Sequence, residues 1–351
     1  MDDFKPTGTL EPPLAKVKDW KTLVRGKQTL ERETNIMPQW AGSCWYYLRY
    51  LDPHNNHEAW SKKKEQYWMP VDLYIGGVEH ANLHLLYARF WHKVLFDLGF
   101  VSQTEPFQKL VHQGIILGEN GEKMSKSRGN VVNPTAVIAE WGADSLRLYE
   151  MFMGPLEQVK PWQTQGISGV NRFLKRTWRL IIDEKGQLAK TAQVPSPSAS
   201  LEAALAKTIK KVTEDTEHLR FNTAISAMME FVNLAYKEEG LTRKQAESLV
   251  ILLSPYAPHA CEELWETLGN RSSLSQASWP SYDASLIIED TCTLSVMING
   301  KLRGTITVAK DADQASILAL AKQQDFAKRH LDGKVIKKEI VVPGRVVNFV
   351  V

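Results

Sequence analysis

Different spacings of hydrophobic residues follow one another along the chain, and each predicts a different kind of element. Residues 40–49 form an aromatic run of helical character. Val71-Asp-Leu-Tyr-Ile75 reads as a short apolar strand stopped by Gly76-Gly77. Leu83, Tyr87, Phe90, Trp91, Val94, Leu95 and Leu98 then recur at three- and four-residue steps, which predicts a long helix, and Gly99 stands where a C-terminal cap belongs. A second strand, Lys109-Leu-Val-His-Gln-Gly-Ile-Ile-Leu117, leads through the turn Asn120-Gly121 into a charged loop. Strand, helix and strand in this order predict a parallel α/β sheet.

After Gly154-Pro155 the helical spacing takes over. Residues 166–270 read as amphipathic helices, interrupted by Val194-Pro-Ser-Pro-Ser198 and by Pro255 and Pro258. Alternation returns in Thr293-Leu-Ser-Val-Met-Ile298 and Gly304-Thr-Ile-Thr-Val308, which flank Asn299-Gly300 as the strands of a hairpin would. A helix over 312–330 and strands over 335–342 and 346–351 complete a small α/β module. Residues 1–38 are rich in Pro, Gly, Lys and Thr without periodicity and read as a linker. The expected organisation is a linker (1–38), an α/β domain (39–154), a helical bundle (155–288) and the small module (289–351).

Composition adds mainly exclusions. The 351 residues are 43% hydrophobic and include 11 Trp, enough for more than one core. Lys plus Arg (43) nearly balances Asp plus Glu (40), so total charge does not demand a nucleic-acid partner, although a local basic face remains open. Cys44, Cys261 and Cys292 are far apart, which suggests neither a disulfide framework nor a cysteine zinc site and fits a reducing cytosol. No apolar run reaches the roughly 18 residues that a membrane span needs.

The charged loop, Glu122-Lys-Met-Ser-Lys-Ser-Arg-Gly-Asn130, holds three cations, two hydroxyls and a glycine in nine residues. Such a set reads either as a solvated turn or as a polyphosphate site, in which ammonium groups, hydroxyls and backbone N–H groups all donate. It lacks the Gly-x-x-x-x-Gly-Lys form of a P-loop. His80 and His84 stand four apart at the start of the predicted helix, beside Glu79. Zinc, packed or surface histidines, and a ligand pocket are the three readings of that spacing; a metalloprotease would need Glu directly after the first His, and no metal site is expected here.

Lys123-Met-Ser-Lys-Ser127 matches the signature loop of class I aminoacyl-tRNA synthetases. Longer strings narrow the likeness: Glu33-Thr-Asn-Ile-Met-Pro-Gln-Trp-Ala-Gly-Ser-Cys-Trp-Tyr-Tyr-Leu-Arg49, Tyr74-Ile-Gly-Gly-Val-Glu-His-Ala81, His84-Leu-Leu-Tyr-Ala-Arg-Phe90 and Tyr149-Glu-Met-Phe-Met-Gly-Pro155 resemble the leucyl-tRNA synthetase family. The resemblance covers essentially the whole chain. Isoleucyl, valyl and methionyl relatives share the loop but usually carry a Gly-x-Asp type sequence where this chain has Gly76-Gly77-Val78-Glu79-His80. A synthetase for another branched aliphatic amino acid and a noncatalytic tRNA-binding or scaffolding protein are the alternatives.

The resemblance implies a partial Rossmann-type catalytic domain followed by an anticodon-binding bundle. It implies a reaction in which ATP, with Mg²⁺, activates leucine, and tRNA(Leu) then receives the leucyl group. By the same likeness Lys126 neutralises charge on the departing pyrophosphate, with Lys123 and Ser125 assisting. Gly76 and Gly77 allow close approach of the nucleotide, Glu79 faces the ribose, and Gln113 and Ile115 support adenine. Ser43, Tyr46, His80 and His84 line the amino-acid site. Arg172, Lys175, Arg176, Arg179, Lys301 and Arg303 become tRNA phosphate contacts.

Two family features do not occur in the sequence: the second ATP signature, His-x-Gly-His, and a threonine-rich editing domain. The expectation is a C-terminal portion whose N-terminal half, carrying both, is either a separate partner chain or has been removed.

Overall fold

The computed structural model describes residues 8, 10–35, 40–287, 291–309 and 312–351. Parts of the predicted linker, residues 36–39 of the first family string and the predicted boundary at 288/289 lie outside the described residues. In chain order the helices are α1 (Lys18–Lys21), α2 (Tyr46–Arg49), α3 (Lys62–Trp68), α4 (His84–Asp97), α5 (Pro134–Trp141), α6 (Ala143–Phe152), α7 (Thr164–Ile181), α8 (Ala199–Glu217), α9 (Phe221–Lys237), α10 (Arg243–Leu253), α11 (Pro258–Thr267), α12 (Gln314–Gln323) and α13 (Asp325–Leu331). The strands are β1 (Thr22–Arg25), β2 (Gln28–Glu31), β3 (Tyr74–Gly77), β4 (Leu110–Gln113), β5 (Ile116–Leu117), β6 (Lys160–Pro161), β7 (Thr291–Ile298), β8 (Lys301–Ala309), β9 (Lys338–Val342) and β10 (Val346–Val350). The chain divides into two units, residues 1–172 with 219–222 and residues 173–218 with 223–351.

In the first unit β3 pairs in parallel with β4, in the register Tyr74↔Leu110 to Gly77↔Gln113. The connection between them runs through α4. Its inner side and the aromatic run before it build a small core of Tyr47, Leu48, Trp60, Met69, Ala88 and Val101. Polar groups inside that core are paired. Tyr47 Oη lies 3.0 Å from His92 Nδ1, and His92 Nε2 lies 3.0 Å from the Gln103 carbonyl oxygen. A carbonyl can only accept, so Nε2 carries the proton and Nδ1 accepts from the tyrosine. Arg49 pins the loop after α2 by donating to the carbonyls of Pro53, Asn55 and Ala59.

The second unit buries apolar residues in its helical part and in its end module. Ile209, Val212, Ile225, Met228, Phe231, Leu249, Leu253 and Tyr256 are buried in the helical part. The end module is a four-stranded sheet in the order β8-β7-β10-β9, with β7 and β10 parallel and the other pairs antiparallel. Ile317 and Ala321 of α12 pack on Leu294, Val296, Ile306, Val347 and Phe349 of that sheet. Asn299 and Gly300 both take positive φ in the hairpin turn, the conformation that an Asn-Gly pair adopts at low cost.

Several predicted elements move. The strand expected at 71–75 is Tyr74–Gly77, with Val71 making only an isolated bridge to Phe107. The glycines continue the strand because β4 supplies the hydrogen-bonding partner. The strand expected at 109–117 splits in two, since the Gly114 N–H leaves the ladder and donates to the Leu156 carbonyl at 2.9 Å. A Cβ at Gly114 would collide with the backbone oxygen of Gln158, so this crossing needs glycine. The expected helix over 312–330 breaks at Gln324, whose extended backbone ends α12 and opens α13. The parallel pairing therefore appears as two separate two-stranded sheets, β3-β4 and β5-β6.

Candidate active site

At the carboxyl end of β3 the chain turns through a 3₁₀ segment, Val78–Asn82, into α4. That path sets His80 and His84 beside the strand, while the turn Gly42–Cys44 and α2 bring Ser43 and Tyr46 to the same place. The result is a cavity of about 360 Å³ lined by Trp40, Ser43, Tyr46, Tyr74, Ile75, Gly76, Gly77, His80, His84, Leu85, Leu110 and His112. Six residues expected from sequence, Ser43, Tyr46, Gly76, Gly77, His80 and His84, thus share one cavity.

Its wall is held together by its own polar groups. Tyr74 Oη stands 2.7 Å from Tyr46 Oη and 2.7 Å from His84 Nε2. The Tyr74 ring stacks on Phe107 at 3.9 Å, and Trp40 meets His80 edge to face at 5.2 Å. His84 is 8% exposed, and burial, aided by neighbouring His80, pushes its pKa below the ordinary histidine value. The imidazole is therefore neutral near pH 7. Burial also pushes the Tyr74 hydroxyl up, with the hydrogen bond to Tyr46 adding to the effect. Trp40 Nε1 and the Nδ1 atoms of His80, His84 and His112 are buried without a hydrogen-bond partner among the described residues. Unpartnered buried polar atoms are costly, and four of them belong to residues around this one cavity.

The charged loop is built differently. Its base is fixed: the Gly118 N–H donates to the Glu122 carbonyl at 2.8 Å, Leu117 bridges Lys123, and Glu119 accepts from the Thr164 N–H and hydroxyl. Lys126–Arg128 forms one 3₁₀ turn ended by Gly129 at φ +68°. Asn130 Oδ1 accepts the Ser125 N–H at 2.9 Å, and the Ser125 and Ser127 hydroxyls lie 2.7 Å apart. Arg128 is neutralised by Glu122 at 3.3 Å, whereas Lys123 and Lys126 are exposed and unpaired among the described residues. Two ammonium groups on a braced loop are thus left available to an anion.

Residues 13–160 match the family described as "tRNA synthetases class I (I, L, M and V)", and residues 199–319 match the "Anticodon-binding domain of tRNA ligase". The leucine–tRNA ligases of Chlorobium phaeobacteroides (strain BS1) and Chlorobaculum tepidum are each 54% identical to this chain over all 351 of its residues. Along its whole length the chain is thus similar to a part of the leucine–tRNA ligases. It spans 43% of the length of those relatives. A ternary complex, "Agrobacterium radiobacter K84 agnB2 LeuRS-tRNA-LeuAMS", shares its structure with a TM-score of 0.74 at 32% identity, covering 97% of this chain and 45% of that one.

The remaining family positions lie elsewhere. Glu79 is exposed on the 3₁₀ segment, and its carboxylate lies over Gly77, where a Cβ would meet it. Gln113 lies outside the first cavity and lines a second one of about 260 Å³ with Gly114, Ile116 and Lys160; Ile115 follows Gly114 and lines neither. Arg172, Lys175 and Arg179 are exposed on α7. Arg176 is engaged instead, donating to Asn233 Oδ1 and sitting 4.6 Å over the Tyr236 ring. Lys301 and Arg303 are exposed on β8, an edge strand. Sequence reasoning did not single out Tyr74 or Trp40, and read His112 only as part of the strand before the charged loop. Tyr74 stands two before Gly76 on one strand and His112 pairs with Gly76, so strand alternation and register held the signal. Among the described residues no three His, Cys, Asp or Glu side chains gather as metal ligands, and no helix is long and apolar enough to cross a membrane.

Proposed function

We propose that this chain is the portion of a leucine–tRNA ligase that holds leucine and carries the phosphate-handling loop. The observation that carries the reading is the single cavity formed by Ser43, Tyr46, Gly76, Gly77, His80 and His84. Leucine occupies it, and its carboxylate attacks the α-phosphorus of ATP. Lys126 balances charge building on the pyrophosphate, with Lys123 and Ser125 assisting. Glu79 meets the ribose hydroxyls at the Gly76-Gly77 edge, and backbone groups at Gln113 and Ile115 support adenine. Parallel pairing of Gly77 with Gln113 supports this arrangement, because the segments that follow both strands leave from the same end of the pair. Mg²⁺ arrives with the triphosphate.

The same reading makes tRNA(Leu) the second substrate, with Arg172, Lys175, Arg179, Lys301 and Arg303 as exposed candidates for its phosphates. The division into a catalytic part ending near 154, a bundle to 288 and an end module belongs to this proposal. A further part of the family's length completes the site. Its support is exposed apolar surface: Ile75 (43%) and Leu110 (41%) on the two paired strands, and Leu86 (56%) and Phe90 (67%) on α4. A two-stranded parallel sheet is not a stable unit by itself, since parallel sheets are normally covered on both faces.

Mixing this chain with a polypeptide carrying the rest of the family's length tests the proposal. Leucine-dependent ATP–pyrophosphate exchange and leucylation are expected from the mixture and not from the chain alone. Robust exchange by the chain alone, or none from a folded mixture, overturns it.

A further inference from the structure

Residues 119–130 are closed on themselves. Asn130 holds the Ser125 N–H, Glu122 pairs with Arg128, and the Gly121 N–H donates to the Gly118 carbonyl at 2.9 Å. Such a body keeps its internal shape and can still turn as a whole about its two ends. Among the described residues, Glu119 makes its only hydrogen bonds to a distant part of the chain. One oxygen of that carboxylate accepts the Thr164 N–H at 3.1 Å and the Thr164 hydroxyl at 2.6 Å, 45 residues on.

Thr164 is a fixed point. Its hydroxyl oxygen accepts from Trp162 Nε1 at 3.1 Å, so the one hydroxyl proton goes to Glu119. Trp162 is buried; its backbone N–H donates to the Leu117 carbonyl at 2.8 Å, and its ring meets Tyr149 edge to face at 5.0 Å. The buried Tyr149 hydroxyl in turn accepts the Gln163 N–H and donates to the Gln163 carbonyl. A Cβ at Gly166 would meet the Tyr149 ring, so the first turn of α7 is seated directly on that tyrosine. Donation runs one way, from indole to hydroxyl to carboxylate, and bonds in such a chain strengthen one another. The Thr164 hydroxyl, and after it the Thr164 N–H, hold the Glu119 pKa below the usual carboxylate value.

We propose that Glu119 is a positioning residue for the reaction: through Thr164 it ties the start of the charged loop to the buried pair Tyr149 and Trp162, and so fixes where Lys126 can reach. An ammonium group stabilises a departing phosphate only from the right place, and a misplacement of about 1 Å costs about 10²-fold. Lys123 and Lys126 have no partner of their own to place them, so their orientation is set where the loop begins.

This inference rests on the phosphate-handling reading of the loop, and the test separates the two. Pyrophosphate exchange by the assembled enzyme is measured for Glu119→Ala, Glu119→Gln and Thr164→Val, alone and combined with Lys126→Ala. In Glu119→Ala kcat is expected to fall about 10-fold, as loss of a charge-assisted bond allows, while the KM for leucine stays within about 2-fold. Glu119→Gln keeps an oxygen able to accept both bonds and is expected to recover most of that loss. Thr164→Val removes the hydroxyl and keeps the N–H; it is expected to slow exchange by a smaller factor, and it serves if Glu119→Ala does not fold. Added to Lys126→Ala, Glu119→Ala is expected to cost less than about 2-fold more, because nothing is left to position. A full further loss in that background, or a rise in KM matched by a lower melting temperature, marks a purely structural role and overturns the inference. An unchanged kcat in Glu119→Ala beside a slow Lys126→Ala overturns it while leaving the functional reading intact; a Lys126→Ala enzyme as fast as the unaltered one removes both.

Discussion

The cavity and the charged loop follow one another in a single unit but handle polar groups in opposite ways. In the cavity, Tyr74 is bonded to both Tyr46 and His84, the tyrosines are partly buried and the histidine buried, and burial keeps the histidine neutral. In the loop the backbone is braced by Asn130 and Glu122, while Lys123 and Lys126 stay exposed and unpaired. A recognition wall has to be held in place before its ligand enters, and the hydrogen bonds of Tyr74 to Tyr46 and His84 do that here. A group that answers charge developing on a phosphate has to remain free until the ligand arrives. On the proposed function the difference separates binding from catalysis, and it can be broken at either end.

The largest effect is expected from Lys126→Ala. Leucine-dependent pyrophosphate exchange by the assembled enzyme should slow about 10²- to 10³-fold. The KM for leucine should stay within about 2-fold, as loss of an interaction made only in the transition state requires. An unchanged exchange rate would place the loop among solvated turns. Acid should act on the cavity side instead. His84 and His92 both have pKa values lowered by burial, so as pH falls through the ordinary value of 6.5 the unfolded chain takes up protons before the folded one does. Stability is therefore full above that range and declines below it. Melting temperatures measured from pH 8 to 5 should show the decline, and His92→Gln, which can still accept from Tyr47 and donate to Gln103, should flatten it. A melting temperature that rises on acidification would contradict the assigned neutral state. The smallest effect belongs to Ser127→Ala, which removes only the hydroxyl beside Ser125. Exchange should fall about 2- to 10-fold, the range of one net hydrogen bond, with leucine KM unmoved.

The helix after Gly77 was legible because seven apolar residues repeat at helical steps, and the structure places it at His84–Asp97. The second hairpin was legible because Asn299-Gly300 suits a tight turn and little else. Strand ends were not. Gly76 and Gly77 look like a stop in isolation, yet they belong to β3 because Leu110–Gln113 pairs with them. Gly114 breaks the next strand for a reason found more than forty residues later, at the Leu156 carbonyl. Arg176 was grouped with three neighbouring cations by spacing alone, and Asn233 and Tyr236 on α9 set it apart.

Sequence by itself determined which groups the site could use: two glycines that admit a close neighbour, two histidines one helical turn apart, and a loop with more cations than anions. Tertiary structure decided which of them are occupied. Tyr74 meets Tyr46 across 28 residues and His84 across 10, so whether those hydroxyls are free or already bonded depends on packing between separate elements. Periodicity follows from local backbone geometry and can be read along the chain, whereas satisfaction of a polar atom depends on distances between segments that only the fold brings together.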